Sequence, residues 1–149
     1  MTEKYFSRQE AEELLPMIEQ GLKEARRQKR RIDGLQAEIV EAATRIMVLG
    51  GSSPPYAALA GKRAEHDKAS QELANAIEAI QQTGCLVKDL EAGLVDFPCL
   101  RGGEEVYLCW KLGEPRIGYW HGIEEGFAGR KPLDNPEPES PPTPPPRTH

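Results

Sequence analysis

The sequence has no long apolar segment. No hydrophobic run among its 149 residues approaches the roughly 20 consecutive apolar residues that a transmembrane helix needs. The segment from Met1 to Phe6 also lacks the charged-then-apolar pattern of a secretory signal. We therefore expect a cytoplasmic protein.

Cysteine is scarce, with three residues and no C-x-x-C pair. Such a set is not typical of a disulfide framework, so we expect reduced, partly buried thiols. The candidate zinc ligands are separated by 14, 10 and 12 residues, which are not the spacings of zinc fingers or ribbons and disfavour such a site. These ligands would be Cys85, Cys99, Cys109 and His121.

Positive charge is in deficit, since 19 Lys and Arg face 24 Asp and Glu for a net charge of -5. This balance argues against a general nucleic-acid binder, which needs a basic surface to displace phosphate counterions. The basic cluster Arg26–Arg31 leaves two interpretations open. It can be a solvated helix surface that pairs with nearby carboxylates, or a local contact for RNA.

Common catalytic motifs are also missing. The sequence contains no phosphate-cradling glycine loop, no serine-nucleophile elbow and no H-E-x-x-H helix. An ordinary enzyme is therefore disfavoured.

The first structural signal is a helix start. Ser7 and Glu10 have capping-box spacing, in which the serine oxygen accepts a backbone N–H and the glutamate reaches back. Pro16 then predicts either a short first helix ending near Leu15 or a kink, because proline removes a donor and clashes with the preceding turn. A much longer helix would begin at Pro16.

Apolar positions from Leu15 to Ile46 step by threes and fours, which is typical of a coiled-coil seam. Two polar members, Lys29 and Gln36, are interpreted as residues that fix register.

The glycines and prolines of segment 50–55 then predict a turn before a second helix over 56–83. Short-loop antiparallel pairing would set Ile32 against Leu73. A widened apolar stripe predicts a further partner, which favours a homodimer; its members are Leu14, Leu35, Val40 and Met47.

After Gly84 the pattern changes to short runs of β-branched and aromatic residues separated by glycine or proline. We predict four strands in an antiparallel meander, within Cys85–Val87, Leu94–Phe97, Val106–Trp110 and Ile117–His121. The fold class is therefore α+β. A long, coiled-coil-like helical hairpin over 1–83, with its short N-terminal helix, precedes a β module over 84–133 and a disordered Pro-rich tail over 134–149.

The β module carries several short motifs in a fixed order: Gly84–Leu90, Gly93–Pro98, Leu108–Glu114, Tyr119–His121 and Gly126–Arg130. With these motifs the chain resembles a family known as domain of unknown function 2203, over roughly Phe6 to Leu133. The resemblance implies these boundaries and a bacterial cytoplasmic setting. It brings no established activity, substrate or cofactor.

The candidate metal ligands are Asp96 and His121, with Asp89 as a third. Regular hairpins would place both Asp96 and His121 across from Leu108, about 9.6 Å apart on the flanking strands, where their side chains can converge on a divalent metal or water. The alternative is structural: Asp96 accepts backbone N–H bonds, and His121 stacks on Trp110 or Trp120.

Arg130, Trp110 and Trp120 are the candidate ligand-binding residues. A guanidinium can bind a carboxylate or phosphate, although it can equally tie the last segment to Asp89 or Asp96.

The leading hypothesis is a self-associating interaction or scaffold protein whose aromatic module carries a recognition surface. The alternative is a metal- or ligand-binding protein at Asp96 and His121, with an enzyme left open, and the third is RNA contact.

Overall fold

A computed structural model describes residues 4–49 and 56–133, without the side chain of residue 49. Helices α1 (Arg8–Leu49) and α2 (Tyr56–Gln81) precede five strands, which are β1 (Leu86–Asp89), β2 (Leu94–Arg101), β3 (Glu104–Lys111), β4 (Tyr119–Gly122) and β5 (Lys131–Pro132). The α+β class, with a helical hairpin and a β meander, is confirmed, and the meander has one strand more than predicted. The predicted interhelical turn and disordered tail lie outside the described residues. Neither described helix has the length and apolarity that crossing a membrane requires.

The predicted capping box begins α1. Ser7 Oγ accepts a hydrogen bond from Glu10 N at 3.1 Å, and Ser7 N donates to Glu10 Oε1 at 3.0 Å. Two otherwise unpaired donors of the first turn are thereby satisfied, which confirms this helix start.

The short first helix predicted to end near Leu15 is wrong, because α1 runs through Pro16 without a break. Pro16 is exposed, so the carbonyl that loses its helical partner can be hydrated. Leu15 and Ile18, on either side of it, are buried. Their packing outweighs the local cost of proline.

The chain forms two compact units that divide the helices themselves. Among the described residues, the sheet unit contains 4–22 and 78–133, and the hairpin unit contains 23–49 and 56–77. The boundary predicted from sequence, between residues 83 and 84, lies where the chain changes from helix to strand. It does not coincide with the points at which the two compact units meet along the chain.

Small and apolar side chains form the interior of the hairpin unit; the buried ones are Ala25, Leu35, Leu59 and Ala69. An ion pair between Lys62 Nζ and Glu38 Oε1, at 2.9 Å, links the antiparallel helices. The seam differs from the prediction at both of its polar members, since Gln28 and Leu35 are buried whereas Lys29 is half-buried and Gln36 is exposed. In each case the buried residue follows the preceding seam residue by three positions rather than four.

The sheet is antiparallel with strands in the order β1-β2-β3-β4-β5. Gly102 and Gly103 both have positive φ, at 60° and 85°, and the flanking Arg101 and Glu104 are paired. This two-residue turn requires φ values that glycine adopts without strain.

The predicted registers are each wrong by one residue. Leu108 pairs with Phe97 and Trp120, whereas Asp96 pairs with Cys109 and His121 with Tyr107. The β2–β3 turn, predicted from sequence as the three residues Arg101–Gly103, has only the two residues Gly102 and Gly103. The β3–β4 connection, over 112–118, is longer than a tight hairpin. Asp96 thus pairs one residue after Leu108 and His121 one residue before it. Both side chains therefore lie on the same face of the sheet as each other, but on the face opposite to the predicted one.

The first turns of α1 cover one face of the sheet and form the core of the sheet unit with it. Phe6 packs edge-on against Phe97, with ring centroids 5.3 Å apart, and Phe6 N donates to Pro98 O at 2.7 Å. Buried members of this core include Ile18, Leu22, Ile80, Val95, Phe97, Leu108, Trp110 and Ile117.

Candidate metal centre

Asp96, Cys109 and His121 lie on the sheet face opposite this core. Asp96 is the direct cross-strand neighbour of Cys109. His121 pairs with Tyr107, which is two residues from Cys109 on the same strand. Because strand residues two apart share a face, the three side chains extend from β2, β3 and β4 toward one point.

The three side chains lie close together and are almost fully buried. His121 Nε2 lies 3.2 and 3.1 Å from the two Asp96 carboxylate oxygens, and the Cys109 thiol lies beside the same two side chains. The exposed fractions of Asp96, Cys109 and His121 are 3%, 1% and 2%. One potential ligand atom from each lies within 4.8 Å of the others, which is the separation expected of residues that share an ion.

The Gly122 carbonyl requires a proton on one ring nitrogen of His121. Its Nδ1 lies 2.9 Å from Gly122 O. A carbonyl oxygen only accepts, so Nδ1 must carry a proton and Nε2 faces Asp96. Metal-ligating histidines commonly donate their second ring N–H to a backbone carbonyl in this way.

Burial governs the protonation of the other two groups. It raises the pKa of the Asp96 carboxyl above its ordinary value, against the opposing effects of His121 and Lys88. Burial, with Asp96 adding to it, raises the pKa of the Cys109 thiol to about 12. Without an ion, Cys109 is therefore a protonated and unreactive thiol at neutral pH.

The predicted third ligand, Asp89, is not part of this group. Its Oδ1 accepts a hydrogen bond from Ala92 N at 3.0 Å, within the turn between β1 and β2. Cys109, expected from sequence to be a reduced and partly buried thiol and named only in the disfavoured zinc set, is the third member of the group instead. The Gly102–Gly103 pair was the signal for it, because a two-residue turn sets Cys109 opposite Asp96.

Arg130 is held by the chain's own groups. Its Nη2 donates to Glu114 Oε1 at 2.9 Å and to Cys109 O at 3.4 Å. Its guanidinium lies over Tyr119 and Phe127, at 3.9 and 4.5 Å from the ring centroids. The ion pair predicted with Asp89 or Asp96 is thus made with Glu114.

The two tryptophans lie apart from the metal cluster. Trp110 is 2% exposed, and its Nε1 donates to Glu114 O at 2.9 Å. It borders a cleft of about 500 Å³ that Pro16 and Pro115 also line. The Trp120 ring is contacted by Arg101 and Lys131, at 4.8 and 4.7 Å from its centroid. The ring that contacts His121 is that of Tyr107, with centroids 5.6 Å apart, rather than a tryptophan.

Comparison with protein families finds one that matches most of the chain. The model of the family described as Uncharacterized conserved protein (DUF2203) matches residues 4–133, which include all the elements of the sheet and the whole candidate centre. No curated protein and no solved structure matches the chain.

Proposed function

Because the chain belongs to the DUF2203 family of uncharacterized conserved proteins, we propose a function from its own residues: it binds a divalent transition-metal ion through Asp96, Cys109 and His121. The observation that carries this proposal is the convergence of three buried potential ligands from three strands. Their second contacts support it, since the Nδ1 of His121 is already committed to a carbonyl.

The donor set favours a zinc-like ion. Thiolate and imidazole suit borderline-soft ions such as Zn²⁺, whereas Mg²⁺ and Ca²⁺ prefer oxygen ligands alone. One carboxylate, one thiolate and one neutral imidazole also balance a divalent ion to zero net charge, which a buried site tolerates best. A fourth ligand would complete a tetrahedral arrangement.

Burial indicates the role of the ion. With ligands only 1–3% exposed, the centre offers little access to a large substrate. We propose that the ion stabilises the sheet by joining β2, β3 and β4, as structural zinc sites do.

The test is elemental analysis of untagged protein purified without chelator, before and after incubation with Zn²⁺ and dialysis. We expect about one ion per chain in the wild type and loss of the ion in Asp96→Asn, Cys109→Ser and His121→Gln. Asp89→Asn and Cys99→Ser are the matched controls and should keep it. Folded wild-type protein that takes up no ion would contradict the proposal.

A second function, self-association through the end of the helical hairpin, is favoured by a separate observation. Four large apolar residues toward that end of the two helices have high exposed fractions: Val40 at 56%, Met47 at 82%, Val48 at 75% and Tyr56 at 62%. Leu35, predicted to share this stripe, is buried in the hairpin unit. Large apolar side chains left exposed favour an interaction site, and we propose a homodimer as the first assembly to test.

Light scattering after size exclusion tests this second proposal. We expect a dimer for the wild type and a monomer for the double variant Met47→Glu and Val48→Lys. Met17→Glu is the matched control, because Met17 is a helical methionine of the sheet unit with 43% exposure. A wild type that stays monomeric at high concentration would rule out self-association.

RNA contact through Arg26–Arg31 is less well supported. Arg27 forms an ion pair with Glu24, and Lys29 Nζ lies 3.1 Å from Asp33 Oδ2, so carboxylates already engage part of the cluster. A gel shift without salt-dependent binding would remove this hypothesis.

Three further expectations from the sequence stay predictions. They are a cytoplasmic location, a bacterial source and ligand binding by Arg130, Trp110 and Trp120.

A further inference from the structure

The turn that follows β4 is closed by a pair of reciprocal hydrogen bonds. Gly122 N donates to Glu125 Oε1 at 2.7 Å, and Glu125 N donates to Gly122 O at 3.0 Å. One glutamate thereby satisfies both polar groups of the Gly122 residue. The orientation of the Gly122 carbonyl depends on this turn.

That carbonyl is also the acceptor for the Nδ1–H of His121. A continuous set of hydrogen bonds therefore runs from Glu125 through Gly122 to His121 and on to Asp96. Glu125 touches none of the three ligands in this set. The Gly122 peptide group, which is hydrogen-bonded to both side chains, connects Glu125 to the ring.

Lys131 holds the Glu125 carboxylate in place. Lys131 Nζ lies 2.5 Å from Glu125 Oε1, the same oxygen that accepts from Gly122. Lys131 is itself fixed by its position on β5, where it pairs with Trp120 of β4. The turn is thus anchored to the sheet at both of its ends.

We propose that Glu125 is the positioning residue of the metal centre: through Gly122 it holds the Nδ1–H of His121 and so directs Nε2 toward the ion. This inference rests on the proposed metal-binding function, but the orientation of the ring can be measured in metal-free protein. Outer partners of metal-ligating histidines typically contribute about 10- to 100-fold to affinity.

The experiment compares Glu125→Ala, Glu125→Gln and Glu124→Ala in the full chain. Zn²⁺ affinity is measured by competition with a chromophoric chelator. The Nδ1–H of His121 is followed by ¹⁵N NMR and its solvent exchange in metal-free protein. Circular dichroism checks that each variant is folded, which we expect because Glu124 and Glu125 are both exposed.

Glu125→Ala should bind Zn²⁺ about 10- to 100-fold more weakly and lose protection of the Nδ1–H. Glu125→Gln should rescue both, since its amide oxygen can still accept from Gly122 N, and Glu124→Ala should match the wild type. Unchanged affinity and protection in Glu125→Ala, or an equal loss in Glu125→Gln, would overturn the inference. If wild-type protein binds no ion, the proposed function fails, and protection of the Nδ1–H still decides the role of Glu125.

Discussion

Cys109 shows how position on a strand determines the chemistry of one side chain. It lies between Leu108, which is part of the core, and Trp110. Because alternate residues face opposite sides, its thiol meets Asp96 instead of that core. Burial and a neighbouring carboxylate both disfavour the thiolate, so only a bound cation would make Cys109 a strong donor.

Thiol labelling tests this environment. We expect iodoacetamide to modify Cys99 in native protein while Cys85 and Cys109 react far more slowly, because both are buried with raised pKa values. Peptide mass spectrometry measures the order of labelling. Denatured protein, in which all three should react alike, is the control. Labelling of Cys109 as fast as Cys99 would contradict the described burial.

Metal affinity should depend on pH. The pKa of Cys109 is about 12 in the metal-free chain, so binding must displace its proton and becomes weaker as pH falls. The raised pKa of Asp96 adds proton competition in the acid range. We expect at least about a tenfold loss of Zn²⁺ affinity for each unit below neutral pH. Calorimetry in buffers of different ionisation enthalpy measures the released protons, and release of none would contradict this account.

At the scale of elements, tight turns determine which residues meet across the sheet. Gly93, with φ of 74°, ends the turn before β2, and a Cβ placed there would lie 2.6 Å from Leu112 Cβ. Its carbonyl also accepts from Leu112 N at 2.9 Å. A close approach of two chain segments therefore requires glycine at this position.

Gly93→Ala should lower the free energy of unfolding by about 1–3 kcal/mol, through backbone strain and the clash with Leu112. Gly34→Ala is the control, because a Cβ added at this position of α1 would meet no other side chain within 4 Å. It should raise the free energy by about 0.5–1 kcal/mol through helix propensity. Urea unfolding followed by circular dichroism measures both. Equal stability of Gly93→Ala and wild type would show that the turn can relax.

For the whole molecule, a bound ion would add stability that the chain otherwise obtains from a modest core. The centre uses the sheet face that α1 leaves uncovered, and it would connect three of the five strands. An ion that binds only the folded chain shifts the folding equilibrium by mass action.

Zn²⁺ should therefore raise the melting temperature of the wild type. At a free concentration about 100 times the dissociation constant, the expected gain is about 2.7 kcal/mol. Cys109→Ser should show little of this increase and Cys99→Ser all of it, and EDTA should reverse it. Differential scanning calorimetry gives the measurement. An identical shift in both cysteine variants would indicate binding elsewhere.

Local chemistry by itself determined the helix start at Ser7, the positions of the turns and the change from helix to strand after Gly84. Each depends on neighbours within a few residues, such as the Ser7–Glu10 capping box or the Gly102–Gly103 pair. The sequence alone also indicated that Asp96 and His121 would converge.

Only the tertiary structure decided which face of the sheet Asp96 and His121 share, and that Cys109 is the third residue beside them. The length of a turn, two residues or three, changes the register by one and reverses every side chain on the strand. Packing of Leu15 and Ile18 likewise carried α1 through Pro16. These outcomes depend on contacts between distant segments, whose energies are comparable to the local preferences that they override.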